Sequence, residues 1–146
     1  GLYHALKSGN SVQPIFIFDR LILDKLADKS DARVQFIHNE ITRLQKELKA
    51  LGSSMDVYYD TPKNVFSQLS NDNSIKAVYT NHDYEPYAKQ RDQEIEKLLA
   101  VANIEFNTSK DHSLFEKDEV LKSDGTPYLV FTPYSKIWKQ KMDEFY

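Results

Sequence analysis

The sequence predicts an α/β domain with a mostly parallel sheet, and three observations carry that expectation. Short, continuous apolar runs recur along the chain, amphipathic segments separate them at roughly 20 to 30-residue intervals, and no internal repeat competes with the alternation. With 146 residues, 40% of them apolar and only 4 glycines and 5 prolines, the chain has the profile of one domain with a real core. A chain of this size buries roughly 68–70% of its unfolded surface and needs no disulfide or metal to fold.

Residues 1–9 read as a short helix with Leu2, Ala5 and Leu6 on one side and Gly9-Asn10 as its stop. The run Val12-Gln13-Pro14-Ile15-Phe16-Ile17-Phe18-Asp19 is continuous and apolar until its final acid, the pattern of a strand buried on both faces. Over residues 31–51, Val34, Ile37, Ile41, Leu44, Leu48 and Leu51 are spaced as one helical face. Ser30 or Asp31 can cap that helix and Gly52 ends it, and its three heptads favour packing on a sheet over a coiled coil.

Met55-Asp56-Val57-Tyr58-Tyr59-Asp60 is the second strand, and Thr61-Pro62 supplies a cap and a first-turn proline for a helix carrying Val65, Phe66 and Leu69 inward. Ile75-Lys76-Ala77-Val78-Tyr79-Thr80 is the third strand. A helix over residues 86–102 presents Ile95, Leu98, Leu99 and Ala102, and Ile104-Glu105-Phe106-Asn107 is a fourth, shorter strand. Beyond Asp111 the pattern becomes loop-rich, with an Asp124-Gly125 turn between Val120-Leu121 and Tyr128-Leu129-Val130-Phe131. Thr132-Pro133 then opens a last helix. Residues 1–110 thus form an α/β core and residues 111–146 a loop with a terminal helix.

Several chemistries are excluded or disfavoured. Without cysteine there are no disulfides, thiol nucleophiles or thiolate zinc sites. His4, His38, His82 and His112 include no pair at i, i+3 or i, i+4, so no metal site is expected. A net charge of −3 gives no general attraction to phosphate backbones, so no direct nucleic-acid binding is expected. No run approaches the ~18–20 apolar residues of a membrane span and Gly1 opens no basic-then-apolar leader, so a soluble, cytoplasmic protein is expected. Gly-rich phosphate loops and GxSxG or HExxH motifs are missing, and Asp92, Glu94 and Glu96 read as solvated partners of Arg91 and Lys97. No residue is assigned a catalytic role.

The segment Asn81-His82-Asp83-Tyr84-Glu85-Pro86-Tyr87 differs, because it gathers polar and aromatic groups at the carboxyl end of a strand, where open α/β sheets form ligand crevices. Asp19-Arg20 could face the same crevice. Asp83 and Glu85 also fit as helix-capping groups, and Tyr84 and Tyr87 as packing.

These residues carry a family likeness. Thr80-Asn81-His82-Asp83-Tyr84-Glu85-Pro86-Tyr87 with Arg91-Asp92 resembles the N-terminal domain of the photolyase/cryptochrome family. Pro14-Ile15-Phe16-Ile17-Phe18-Asp19 matches as well, as do Asp31-Ala32-Arg33-Val34 with Phe36-Ile37, and Phe131-Thr132-Pro133-Tyr134-Ser135-Lys136 with Trp138. The likeness is ordered and covers essentially the whole chain.

The resemblance implies a Rossmann-like three-layer α/β/α domain that holds a light-harvesting antenna chromophore and passes excitation energy to FAD. The FAD belongs to a C-terminal helical domain, the expected partner, so this chain by itself would not repair DNA. It also implies a first, central strand with a Trp-Phe-Arg-Arg-Asp-Leu-Arg-Leu-type loop just before Gly1. Without that strand the gap would be closed by its neighbours moving together, by strand exchange between chains, or by residues outside this sequence. Each unpaired buried backbone group left behind costs roughly 1–3 kcal/mol.

Folate-binding relatives carry an Asn-Glu pair where this chain has Tyr87-Ala88, and deazaflavin-binding relatives keep Glu-Pro-Tyr but carry an acid where Gln90 stands. A deazaflavin or flavin therefore matches better than methenyltetrahydrofolate, and an empty pocket is the third outcome. The chromophore contacts implied are Phe16, Phe18, Asp19, Arg33, Tyr87 and Gln90, with Arg33 alternatively an ion-pair partner of Asp31 or Glu40. Photolyase and cryptochrome are not separated by these residues. A generic nucleotide-binding domain or a docking module is the alternative, and Phe131, Trp138, Phe145 and Tyr146 would supply a surface for the helical domain or for a homodimer.

Overall fold

The computed structural model describes residues 1–28 and 30–145, with the side chains of residues 143–145 left out of the description. Contacts divide it into two compact units, Gly1–Thr108 and Ser109–Tyr146. In the first unit the order is α1 (Leu2–Lys7), β1 (Ile15–Asp19), α2 (Arg20–Leu23), α3 (Ala32–Ala50), β2 (Asp56–Asp60), α4 (Pro62–Leu69), β3 (Ala77–Asn81), α5 (Pro86–Val101) and β4 (Glu105–Ser109), whose last residue crosses the unit boundary. The mixed α/β class expected from the alternation is what the chain adopts.

Local chemistry sets the boundaries. The Asp31 carboxylate accepts from the Arg33 amide at 2.8 Å and caps α3. Gly52, at φ +75°, closes the helix, with Gly52 N–H bonded to the Lys49 carbonyl and Ser53 N–H to that of Leu48. Thr61 caps α4 and Pro62 occupies its first turn. Helix α5 ends in the same motif with Asn103 in the left-handed region at φ 57°, and Ile104 N–H reaches back to the Leu99 carbonyl. That places Ile104 beside Leu99, and these two with Ile95 form the buried cluster against which Phe66, Val78 and Phe106 pack.

The sheet is built in two pieces. β1 and β2 pair in parallel, Phe18 opposite Tyr59 and Asp19 opposite Asp60, while β3 pairs with β4. Among the described residues no ladder joins β1 to β3, so the neighbouring strands do not move together to close the gap. This corrects the expectation of a first strand buried on both faces. Ile15 through Phe18 are only half-buried, because β1 is paired along one edge. The apolar seam of α3 is likewise only partly covered: Ile41 is buried, but Ile37 is 40% exposed, Leu44 39% and Leu51 82%. Helix α1 packs on β3, and the Gly1 ammonium donates to Asn81 Oδ1 at 2.5 Å at that strand's carboxyl end.

In the second unit the Asp124-Gly125 turn forms, with Gly125 at φ +78° and its amide bonded to the Lys122 carbonyl at 2.9 Å. The last helix, α6 (Phe131–Phe145), starts before Thr132, so the expected Thr132 cap is not its boundary. Pro133 sits in the first turn, where amide groups have no helical acceptor, and is accommodated there. Trp138 packs edge-on against Phe115 with ring centroids 5.7 Å apart, and Phe131 is 77% exposed. The Phe145 side chain and Tyr146 lie outside the described residues.

Candidate functional site

Strand alternation decides which side chains share a face at the end of β1. Phe16 and Phe18 point one way, with centroids 5.0 Å apart, and Asp19 points the other. On the Phe18 face, Tyr59 stands beside Phe18 in the parallel register, and helix α3 brings His38 over it at 6.2 Å between ring centroids. Phe18, Tyr59 and His38, with Leu23, Val34 and Gln35, line a cavity of about 830 Å³. Tyr59 is fixed from outside, since its hydroxyl donates to Asp24 at 3.3 Å and the Arg20 guanidinium lies 5.7 Å from its ring centroid.

On the opposite face Asp19 is buried and doubly engaged. It accepts from the Leu21 amide at 2.9 Å, capping α2, and from the Tyr87 hydroxyl. Burial, reinforced by the hydrogen bond to the Asp19 carboxylate, pushes the Tyr87 hydroxyl up to about 12. Tyr87 and Gln90, with Leu21, Lys63, Arg91 and Glu94, line a second groove of about 260 Å³. Its charges are largely matched internally, with Arg91 on Asp92 at 2.8 Å and Gln90 donating to Glu94 at 3.0 Å.

The six residues singled out from the sequence therefore do not meet in one place. Phe18 lines the larger cavity with Phe16 behind it, Asp19 and Tyr87 hold each other on the other face, and Gln90 lies in the small groove. Arg33 is paired with Asp31 at 2.5 Å, and its hydrogen bonds hold that carboxylate at about 2. His38, Tyr59, Leu23 and Gln35 were not singled out. The register of β1 with β2 and the four-residue step from Val34 to His38 are the signals that could have found them. At the carboxyl end of β3, His82 Nε2 lies 2.9 Å from Thr108 Oγ1, and Asp83 accepts from the Glu85 amide at 3.1 Å, leaving Glu85 as a cap residue without a side-chain cap bond.

Among the described residues no His/Asp/Glu cluster could hold a metal ion, and no helix is long and apolar enough to cross a membrane. A family model described as DNA photolyase matches residues 1–145. The chain belongs to the DNA photolyase family. It is 31% identical over 139 residues to a deoxyribodipyrimidine photo-lyase of Synechococcus sp., covering 95% of this chain and 28% of that one. It is 36% identical over 120 residues to that of Alkalihalophilus pseudofirmus, covering 78% of this chain and 25% of that one. Cryptochrome-1 of Gallus gallus matches at 26% over 93% of this chain. In structure the chain resembles an archaeal photolyase from Sulfolobus tokodaii described with two FAD molecules and the implication of a novel light-harvesting cofactor. The TM-score is 0.76 at 29% identity, covering 94% of this chain and 30% of that one. A class III photolyase of Agrobacterium tumefaciens shares the fold at TM-score 0.76 and 19% identity. The chain thus spans under a third of the length of these photolyases.

Proposed function

We propose that this chain is the α/β unit of a deoxyribodipyrimidine photolyase, and that the cavity over Phe18 holds a light-harvesting chromophore. The observation that carries the reading is that cavity. Its volume lies in the roughly 300–1,000 Å³ range of small-molecule sites, its wall is built from Phe18, Tyr59 and His38, and it opens beside the carboxyl ends of two parallel strands. A flat chromophore fits such a wall. When bound, it would absorb light and pass the excitation to FAD held by a second unit, the expected partner.

The chain's own residues do three things. Phe18, backed edge-on by Phe16, offers a ring face. Tyr59 is held by Asp24 and Arg20 and offers a second. Asp31, pinned by Arg33, ends the cavity with a fixed carboxylate. Asp19 and Tyr87 position the end of β1 against α5 rather than contact the ligand, and Gln90 lies outside the cavity. The preference for a flavin or deazaflavin over methenyltetrahydrofolate comes from the family resemblance, in which Tyr87-Ala88 stands where folate-binding relatives carry Asn-Glu, and not from this wall. The photolyase reading is favoured over cryptochrome by the 31% and 36% identities to photolyases against 26% to the chicken cryptochrome.

The test is an absorption and fluorescence titration of the purified chain with riboflavin, a 5-deazaflavin and methenyltetrahydrofolate. Saturable binding of a flavin or deazaflavin, lost in Phe18→Ala and kept in Gln90→Ala, is expected. Absence of binding to all three would overturn the chromophore reading.

A further inference from the structure

We infer that His38 is the ligand-contacting residue that makes this cavity select a ring with a polar edge, a carbonyl or imide, over an apolar ring of equal size. The inference rests on the chromophore reading above and names the group within it that discriminates.

Three observations converge on this residue. Three of the polar side chains that line the cavity with it are already engaged: Asp31 with Arg33 at 2.5 Å, Gln35 donating to Asn39 Oδ1 at 3.0 Å, and Tyr59 donating to Asp24 at 3.3 Å; Ser30, the other, carries its hydroxyl on the turn ahead of α3. The imidazole of His38 hydrogen-bonds to none of the described residues, and it lies against the ring of Phe18. The two rings lie 6.2 Å apart and inclined by 35°, a tilted aromatic pair in which the imidazole borders the Phe18 ring instead of stacking flat on it. A flat ligand resting on Phe18 therefore comes within reach of a side chain carrying one N–H donor and one nitrogen acceptor. A carbonyl or imide edge satisfies them, whereas an apolar ring strips water from the imidazole and gives nothing back.

The position of His38 is set independently of any ligand. It is exposed on a 19-residue helix whose N-terminus is capped by Asp31, and it lies one turn after Val34 on the wall facing β1. Replacing it leaves the Asp31 cap, the buried Ile41 and the ion pairs of Arg43 with Glu40 and Glu47 in place.

The experiment compares His38→Phe and His38→Gln with the unaltered chain, each titrated with riboflavin and with anthracene-2-sulfonate, a three-ring aromatic with no ring carbonyl or N–H. The unaltered chain is expected to prefer riboflavin. In His38→Phe, which keeps an aromatic ring, riboflavin affinity falls about tenfold while anthracene-2-sulfonate affinity holds or rises, so the preference collapses. His38→Gln, which restores a donor and an acceptor, recovers most of it. A preference ratio unchanged in both variants overturns the role of His38 and leaves the chromophore reading standing. Failure of riboflavin to bind the unaltered chain overturns the role of His38, and failure of the 5-deazaflavin and methenyltetrahydrofolate as well overturns the chromophore reading.

Discussion

Changing Tyr87 to Phe removes the hydroxyl that joins α5 to the buried Asp19 at the end of β1, and its consequence can be worked out. Asp19 keeps the Leu21 amide but loses its second donor, and hydrogen bonds to charged groups contribute about 1.5–3 kcal/mol. A loss of about 2 kcal/mol is a fall of roughly 4–8 °C in Tm for a chain of this size. The Tyr87 hydroxyl, pushed up to about 12 by burial first and by the Asp19 bond second, sets the pH window of that loss rather than its size. Because the folded value is raised, the native state binds the extra proton. The contribution is therefore complete below pH 10 and lost as pH rises from 10 towards 12. Urea unfolding followed by circular dichroism, for the unaltered chain and Tyr87→Phe at pH 8 and pH 11, should show the gap between them shrinking at the higher pH. A gap under about 0.5 kcal/mol at pH 8, or one equal at both pH values, would refute the reasoning.

Three further outcomes follow from the fold. Leu99→Ala, at a side chain only 1% exposed in the cluster with Ile95 and Ile104, should cost about 3 kcal/mol by the same urea assay, as a cavity in a close-packed site does. Gly52→Ala should cost about 1 kcal/mol from backbone strain alone, since φ is +75° and a Cβ there meets nothing within 4 Å. In hydrogen exchange followed by NMR, the amides of Ile15 and Ile17 should exchange faster than those of Phe16 and Phe18. The Pro14 carbonyl accepts from Asp56, which turns the even-numbered residues toward β2 and the odd ones toward the unpaired edge; equal protection along the strand would show that edge to be covered.

What the sequence revealed and what it hid follow from range. Caps, stops and helical faces are local, and Asp31, Gly52, Thr61-Pro62 and Pro86 act where the sequence places them. The third strand begins two residues late because the Ile75 amide is taken by the Asp72 turn. Helix α2 went unread, although Asp19 ahead of Arg20-Leu21-Ile22-Leu23 is a capping signal, because the same acid also ends a strand. Burial was the least legible property. A continuous apolar run such as residues 15–18 states what a strand is able to bury, but neighbours across both edges decide what it does bury. The candidate site was legible in its parts and not in its grouping. Aromatic and polar residues at strand ends stood out by type, while their division between two faces depends on the parity of Phe18 and Asp19 and on a register with Tyr59 set by pairing across 41 residues.

The most direct test of the chromophore account is an NMR map of amide shifts in the ¹⁵N-labelled chain as riboflavin is added to saturation. The account predicts that the large shifts cluster on Phe18, Leu23, Val34, Gln35, His38 and Tyr59, around the cavity on that face of β1. Shifts centred instead on Lys63, Tyr87, Gln90 and Arg91 would put the ligand in the smaller groove and contradict it.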